Sequence, residues 1–352
     1  MKIIHICSSS AKPDGIKTVL KILSTKQREI GHDVKVFSLR NGEKNFECVN
    51  SVRKFTKKLD AGSPDIVIFH SVYYLLYVIY SIILTVKKIP YLIELHGALS
   101  VENYKVSHFK KVVANFMLFN SFLKHAKNII YLNQNEYNNS IVKKINPNYT
   151  IIPNGCNPIV GLTPVKYDNA KIQIIYIGRI ERNHKGLDIL LLAIGLIPEY
   201  LKTKVHFIFY GDGAKSECDW FKEQISKISY IAEFKGPIDG KKKDEAMKNA
   251  NIFILTSRFE GMPMGVLEAL SYGLPCVLTP NTNLGYEVEN AGAGWITSCD
   301  PSNIAKTIED AVRSYQSTYN ILSANALALS KKYNWNKIAE NSIIEYSKSI
   351  SQ

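Results

Sequence analysis

Read for its apolar and polar positions, the chain alternates between two periods. MKIIHICSS, HDVKVFSL, DIVIFH, PYLIELHG and NIIYLN are short apolar runs rich in β-branched residues, which predicts strands. Between them, Gly15 to Ile30 (IKTVLKILSTKQREI), VNSVRKFTKKL and the region Lys105 to Ala126 read as helices, the first ending at Gly31. One stretch, Ile66 to Val86, carries no fixed charge over 21 residues. That is near the roughly 20 needed to cross a bilayer. The turn signal SPD before it, and Lys87, Lys88 and Pro90 after it, instead predict a buried strand followed by an apolar helix.

A segment rich in Pro, Gly and Asn, Ile151 to Lys171, interrupts the alternation. The pattern restarts with IQIIYIGR, GLDILLLAIGLI, KVHFIFYGDG, ECDWFKEQISKI, IAEFKG, NIFILTS and PCVLT. It closes in two helical stretches, PSNIAKTIEDAVRSY and NWNKIAENSIIEYSKSI. Strands alternating with helices predict an α/β fold of two doubly wound parallel-sheet domains in tandem. Ligands of such sheets bind beyond the carboxyl ends of the strands. The loops in that position are SSSAKPDG, ELHGALS, GRIERNHKG, GDG and SRFEGMPMG.

Composition narrows the picture. At 352 residues and 46% hydrophobic, the chain has length and apolar content for two cores. Six scattered cysteines form no CxxC, and no signal peptide opens the chain, so reduced thiols in a cytoplasmic protein are expected. The eight histidines show no HxxxH or HxH spacing, so spacing gives no zinc motif and no metal is expected. The charge is lopsided: residues 1–150 carry 22 Lys and Arg against 10 Asp and Glu, and residues 151–352 carry 22 against 21. A basic first half points to phosphates, whether on a substrate, a membrane surface or a nucleic acid. No dense basic run, zinc finger or RNP pattern accompanies it, so nucleic acid is not expected as a partner.

Two loops carry candidate chemistry. In GRIERNHKG, Arg179 follows the end of a strand and Lys185 precedes a helix. Two cations beside a helix N-terminus suit a diphosphate, although solvated loop charges would look the same. In SRFEGMPMGVLEALSYGLPCVLT, Glu260 lies in the loop after NIFILTS. Gly261, Met262, Pro263 and Met264 make a tight turn, and a helix from near Gly265 to about Tyr272 places Glu268 in its first turn or so. The two carboxylates read as an acid/base pair, as two grips on one polar ligand, or as surface charges. A hydrolase needs carboxyl groups on opposite sides of the scissile bond, which one loop and its helix do not supply. No strand is followed by GxGxxG, which disfavours a dinucleotide enzyme; GDGAKS has only the first two glycines in place.

Together, Glu260-Gly261-Met262-Pro263, Leu267-Glu268-Ala269 and Gly273-Leu274-Pro275 resemble the E-x7-E signature of retaining GT-B-fold glycosyltransferases, the group 1 or family 4 class. Gly178-Arg179 with Lys185-Gly186, His96-Gly97, the first loop with Gly15, and Asn154-Gly155 match that family's other motifs in order. The resemblance implies two Rossmann-like domains facing each other across a cleft. An acceptor-binding domain would cover residues 1–160 and a nucleotide-sugar domain 161–333, with a terminal helix, 334–352, packing back on the first. It implies that Glu268 binds ribose, that Arg179 and Lys185 neutralise the diphosphate, and that Glu260 with Gly261, Met262, Pro263, Met264, Gly265 and Leu267 holds the donor sugar. His96 would reach the reacting sugar and the Gly15 loop the phosphates. Asp14 stands where the family often has glycine, which is electrostatically awkward beside a diphosphate.

The implied activity is retaining transfer of a hexose or N-acetylhexosamine from a UDP- or GDP-sugar to a lipid-linked saccharide. The setting would be O-antigen, capsule or exopolysaccharide assembly at the cytoplasmic face of the inner membrane. A GT-B epimerase of nucleotide sugars and a non-enzymatic phosphate- or nucleic-acid-binding module are the competing readings. Lys105 to Lys127 mixes lysines with Phe109, Phe116, Phe119 and Phe122, a pattern suited to an anionic membrane surface or to a core helix with a solvated face.

Overall fold

The structure, a computed structural model, describes residues 1–8, 15–41, 45–97, 119–159 and 171–351. It divides into two compact units, Met1–Gly155 with Trp335–Gln352, and Cys156–Asn334.

The first unit runs β1 (Lys2–Cys7), α1 (Gly15–Glu29), β2 (Asp33–Ser38), β3 (Glu47–Cys48), α2 (Val52–Asp60), β4 (Ile66–His70), α3 (Leu75–Val86) and β5 (Tyr91–Glu94). Then come α4 (Asn120–His125), β6 (Asn128–Tyr131), α5 (Gln134–Asn138) and β7 (Tyr149–Ile151). Its seven strands are all parallel in the order β3-β2-β1-β4-β5-β6-β7. β1 and β4 therefore lie inside the sheet, and β4 is buried at every position, as a strand covered on both faces must be. The uncharged run at Ile66 to Val86 is thus β4 and α3, not one helix, and no helix among the described residues is long and apolar enough to cross a membrane.

α1 buries Val19, Leu20, Leu23, Ser24 and Gln27, one face at helical spacing. Gly31, at φ +92°, takes the left-handed conformation that ends it. Most of Lys105 to Lys127 lies outside the described residues; its described end forms α4.

The second unit runs β8 (Ile172–Ile177), α6 (Leu187–Leu196), α7 (Glu199–Lys202), β9 (Val205–Tyr210), α8 (Lys215–Ser226), β10 (Ala232–Gly236), α9 (Gly240–Asn249) and β11 (Ile252–Leu255). It continues with α10 (Met264–Ser271), β12 (Cys276–Leu278), α11 (Gly285–Asn290), β13 (Gly294–Ile296) and α12 (Pro301–Ser330). Six parallel strands follow the order β10-β9-β8-β11-β12-β13. β8 and β11 are inner neighbours, so the loops after them, GRIERNHKG and SRFEGMPMG, leave the same sheet edge side by side.

α12 is twice as long as the expected helix PSNIAKTIEDAVRSY. Its second half buries Tyr319, Ser323, Ala326 and Ser330, a mostly small-residue stripe that does not read as a core face. Gly273 packs closely against this stripe: a Cβ there would stand 2.7 Å from Ser323 Oγ. The chain ends in α13 (Trp335–Ser351), which belongs to the first unit. There Gln27 Nε2 donates to Ser342 Oγ, and Thr150 Oγ1 donates to Glu345 Oε2.

Candidate active site

In the second unit the loop after β8 is tied to the loop after β11. Thr256 Oγ1 donates to the Gly186 carbonyl at 3.1 Å, and the Arg258 amide donates to the His184 carbonyl at 2.9 Å. The Arg258 guanidinium grips both oxygens of Asp188 at 2.8 Å and also donates to the Asn183 carbonyl. His184 Nε2 donates to the Phe259 carbonyl at 2.8 Å, and its ring stacks on Phe259 at 4.0 Å between centroids. Gly186 makes this approach possible. It sits at φ +63°, and a Cβ there would stand 2.1 Å from the Thr256 carbonyl oxygen.

The two riveted loops bring Lys185 and Glu260 together. Lys185 Nζ lies 2.5 Å from Glu260 Oε1, and Ser257 Oγ donates to the same oxygen at 2.6 Å. The Asn283 side-chain amide, at φ +63°, donates to the carbonyls of Glu260 and Gly261 and holds the loop from the far side. Arg179 is largely exposed and pairs with Glu181 at 3.3 Å. The Glu181 carboxyl is held below its ordinary range, first by its hydrogen bond to His184 and then by the nearby Arg179 and Lys185 charges. The cations thus form a small network with Glu181 and Glu260.

α10 begins at Met264, after Pro263, whose carbonyl accepts from Val266 and Leu267. The amides of Met264 and Gly265, at the very start of the helix, have no intrahelical acceptor, and the helix dipole adds positive potential there. Gly265 allows the helix start to lie against β8: a Cβ would meet the Ile177 carbonyl at 3.0 Å.

Glu268 is the fifth residue of α10, just past its first turn, and its partly exposed carboxylate pairs with Lys243 of α9 at 2.5 Å. Leu267 is fully buried and Met262 and Pro263 are buried, so these three support the loop through the core.

In the first unit, His96 lies in the turn two residues past β5. It takes φ +51°, uncommon for a side chain with a Cβ, and Gly97 follows at φ +76°. The buried Glu136 anchors this turn: its oxygens accept from the Gly97 and Leu132 amides, each at 2.6 Å. Behind His96 lies a file of imidazoles. His96 Nε2 is 2.9 Å from His70 Nδ1, and His70 Nε2 is 2.9 Å from His5 Nδ1. Glu94 lies 3.3 Å from His70 Nδ1 and 3.4 Å from His96 Nε2. Burial holds His5 down to about 4 and His96 down to about 3, and His70 well below its ordinary value. Burial and then the neighbouring Glu136 push Glu94 up to about 8.

No local spacing announces this cluster, because its members come from three separate strands, β1, β4 and β5, and the turn after β5. It nevertheless brings His70, Glu94 and His96 within reach of one cation, a grouping that spacing alone misses. Gly15 opens α1 with open space around its Cβ position. The rest of the first loop, Asp14 included, lies outside the described residues.

The two parallel-sheet units form a GT-B fold. Residues 13–159 match the Glycosyltransferase Family 4 model and residues 171–314 match the model described as Glycosyl transferases group 1. With both halves matched, the chain belongs to the group 1 glycosyltransferases. It is 54% identical over 109 residues to the lipopolysaccharide 1,6-galactosyltransferase of Salmonella typhimurium, across 29% of this chain and 28% of that protein. It is 27% identical over 178 residues to the O-antigen chain mannosyltransferase B of Escherichia coli, across 49% and 45%. The matched stretches thus span less than half of either relative. In fold it is similar to Anabaena Alr3699/HepE in complex with UDP, with a TM-score of 0.79 and 19% identity over 99% of this chain and 100% of that one.

Proposed function

We propose that the protein transfers a hexose or N-acetylhexosamine, with retention, from a UDP- or GDP-sugar to a lipid-linked saccharide in surface-polysaccharide assembly. The observation that carries the reading is the cluster of Lys185, Arg179, Glu260 and the start of α10 at one sheet edge. A nucleoside diphosphate leaving group develops negative charge as the C1–O bond to its phosphate breaks. Two preplaced cations and the helix-start amides are aimed at that charge, the kind of preorganisation that dominates transition-state stabilisation. With that charge met by the chain's own groups, no metal is required. The acceptor oxygen bonds to C1 on the face the phosphate leaves, and its proton passes to a departing phosphate oxygen. Glu268 holds ribose hydroxyls, Glu260 the donor sugar, and His96 the same sugar from the first unit.

UDP as the carrier and a hexose as the cargo are favoured by two likenesses: one to a galactosyltransferase, and one to a protein solved with UDP, with UDP and glucose, and with UDP-glucose. The test is thermal shift and nucleotide release with UDP-galactose, UDP-glucose, UDP-N-acetylglucosamine and GDP-mannose. A ligand that binds the native state raises apparent stability. Stabilisation by UDP-hexoses, with acceptor-dependent UDP release, is expected. No stabilisation by any nucleotide would sink the reading, and acceptor-independent consumption of the sugar nucleotide would point to an epimerase.

Association with an anionic membrane surface is part of the proposal. α3 exposes Leu75 (59%), Ile82 (59%) and Val86 (78%), with half-buried Ile79 between them, a single apolar stripe at helical spacing. α2 lies beside it, joined through the stacked rings of Phe55 and Tyr80, and exposes Arg53, Lys54, Lys57 and Lys58. Exposed Lys87 and Lys88 follow the stripe. Apolar contact rimmed by cations is what an anionic interface selects.

A further inference from the structure

The buried imidazole file in the first unit has a direction, and one hydroxyl sets it. Ser342 Oγ donates its single hydrogen to the Ala339 carbonyl at 2.7 Å. Toward Gln27 it can therefore only accept, and Gln27 Nε2 lies 2.9 Å away. That orientation turns Gln27 Oε1 toward His5 Nε2, also at 2.9 Å. An amide oxygen cannot donate, so His5 carries its proton on Nε2, and its Nδ1 is an acceptor. His70 must then donate from Nε2, leaving Nδ1 to accept, and His96 in turn donates from Nε2.

The polarity propagates because each imidazole is neutral and has one N–H; burial keeps all three uncharged at physiological pH. Glu94 fits the same direction. Held protonated by burial, it makes no ion pair; it lies beside the file, its Oε2 3.3 Å from His70 Nδ1 and its Oε1 3.4 Å from His96 Nε2, and leaves the direction unchanged.

We propose that His5, His70 and Gln27, oriented by Ser342, are positioning residues that lock His96 as its Nε2–H tautomer, leaving Nδ1 as a hydrogen-bond acceptor for a hydroxyl of the transferred sugar. The sugar contact rests on the functional reading above; the tautomer does not. A neutral donor hydroxyl binds an acceptor nitrogen and not an N–H that already points into the protein. The residue furthest from substrate, on α13, thus determines whether the imidazole nitrogen offered to it accepts or donates.

The experiment measures histidine tautomers directly, by long-range 15N–1H NMR of the full chain labelled in histidine, alongside steady-state kinetics with UDP-hexose. All three imidazoles are expected as Nε2–H forms. Ser342→Ala lets the Gln27 amide take either orientation. His96 should then show mixed tautomers, with kcat down about fivefold, the scale of one buried hydrogen bond, and KM for the nucleotide sugar unchanged. Ser342→Thr keeps the hydroxyl and should restore both. A His96 protonated on Nδ1, or a folded Ser342→Ala protein with unchanged tautomers, overturns the proposal. So does stoichiometric zinc in the purified protein lost on His70→Ala, since a metal would take the lone pairs the relay uses. If no sugar nucleotide turns over, the functional reading fails while the NMR result still stands.

Discussion

Lys185 and Glu260, 75 positions apart, meet as an ion pair at 2.5 Å where two inner strands of one sheet end. The cation assigned to the diphosphate and the carboxylate assigned to the sugar are therefore partners before any ligand arrives. A diphosphate must compete with Glu260 for Lys185. Glu260→Gln should bind UDP several-fold more tightly than the parent protein, and turn over its donor about a hundredfold more slowly. Calorimetric titration decides the first part; weaker UDP binding would show that the pair does not restrain Lys185.

Glu268 and Lys243 form a second pair, each about a quarter exposed. Such a pair adds less than about 1 kcal/mol to stability. Glu268→Ala should leave the unfolding midpoint almost unchanged and weaken UDP binding about tenfold, the loss of a charge-assisted hydrogen bond to ribose. Unchanged affinity would remove Glu268 from the nucleotide site.

Gly186→Ala places a Cβ against the Thr256 carbonyl oxygen at a left-handed backbone position. Because backbone, not a flexible side chain, is in the way, the two loops must separate. A loss of about 2–4 kcal/mol in denaturant unfolding is expected, with activity falling further than stability because Lys185 is the next residue. A variant of normal stability would mean the loops part freely.

Stability should fall as pH rises from about 6.5 to about 8. Glu94, held up to about 8 in the folded chain, keeps its proton there, while the unfolded chain has already lost it. Folding then binds protons, and raising the pH works against it. Glu136, raised to about 7, acts the same way over the lower part of this window. The buried histidines, lowered on folding, act oppositely but only below about 6.5. Glu94→Gln should flatten the decline between pH 7 and 8, read from urea midpoints; an unchanged slope would contradict a protonated Glu94.

The α3 stripe gives the membrane reading its own measurement. Ile82→Glu with Val86→Glu should abolish co-sedimentation with vesicles containing anionic lipid and leave the melting temperature within a few degrees, since both side chains already face solvent. Retained binding would move the contact to another surface.

Much of this architecture was readable in the chain, for physical reasons. Buried parallel strands are continuous apolar runs, so β1, β4, β8 and β11 stand out, and with them the loops that carry Lys185 and Glu260. Short edge strands such as β3 and β13 leave too little pattern to see. Asn283, His184 and Arg258 escaped notice because they act on backbone carbonyls or on Asp188, contacts that only close packing of two loops creates. His5 and His70 read as ordinary strand residues, since nothing local distinguishes a strand histidine that has a neighbour from one that does not.

α13 gives the order of synthesis a role. His5 and Gln27 leave the ribosome long before Ser342, which orients them and lies 315 positions after Gln27. Trp335 likewise lies where a side chain on Gly155 would have to be. The first unit is therefore begun first and finished second: the nascent chain carries an open seam beside α1 until α13 arrives. Full competence should come only once α13 has been made, after the second unit has had everything it needs to fold.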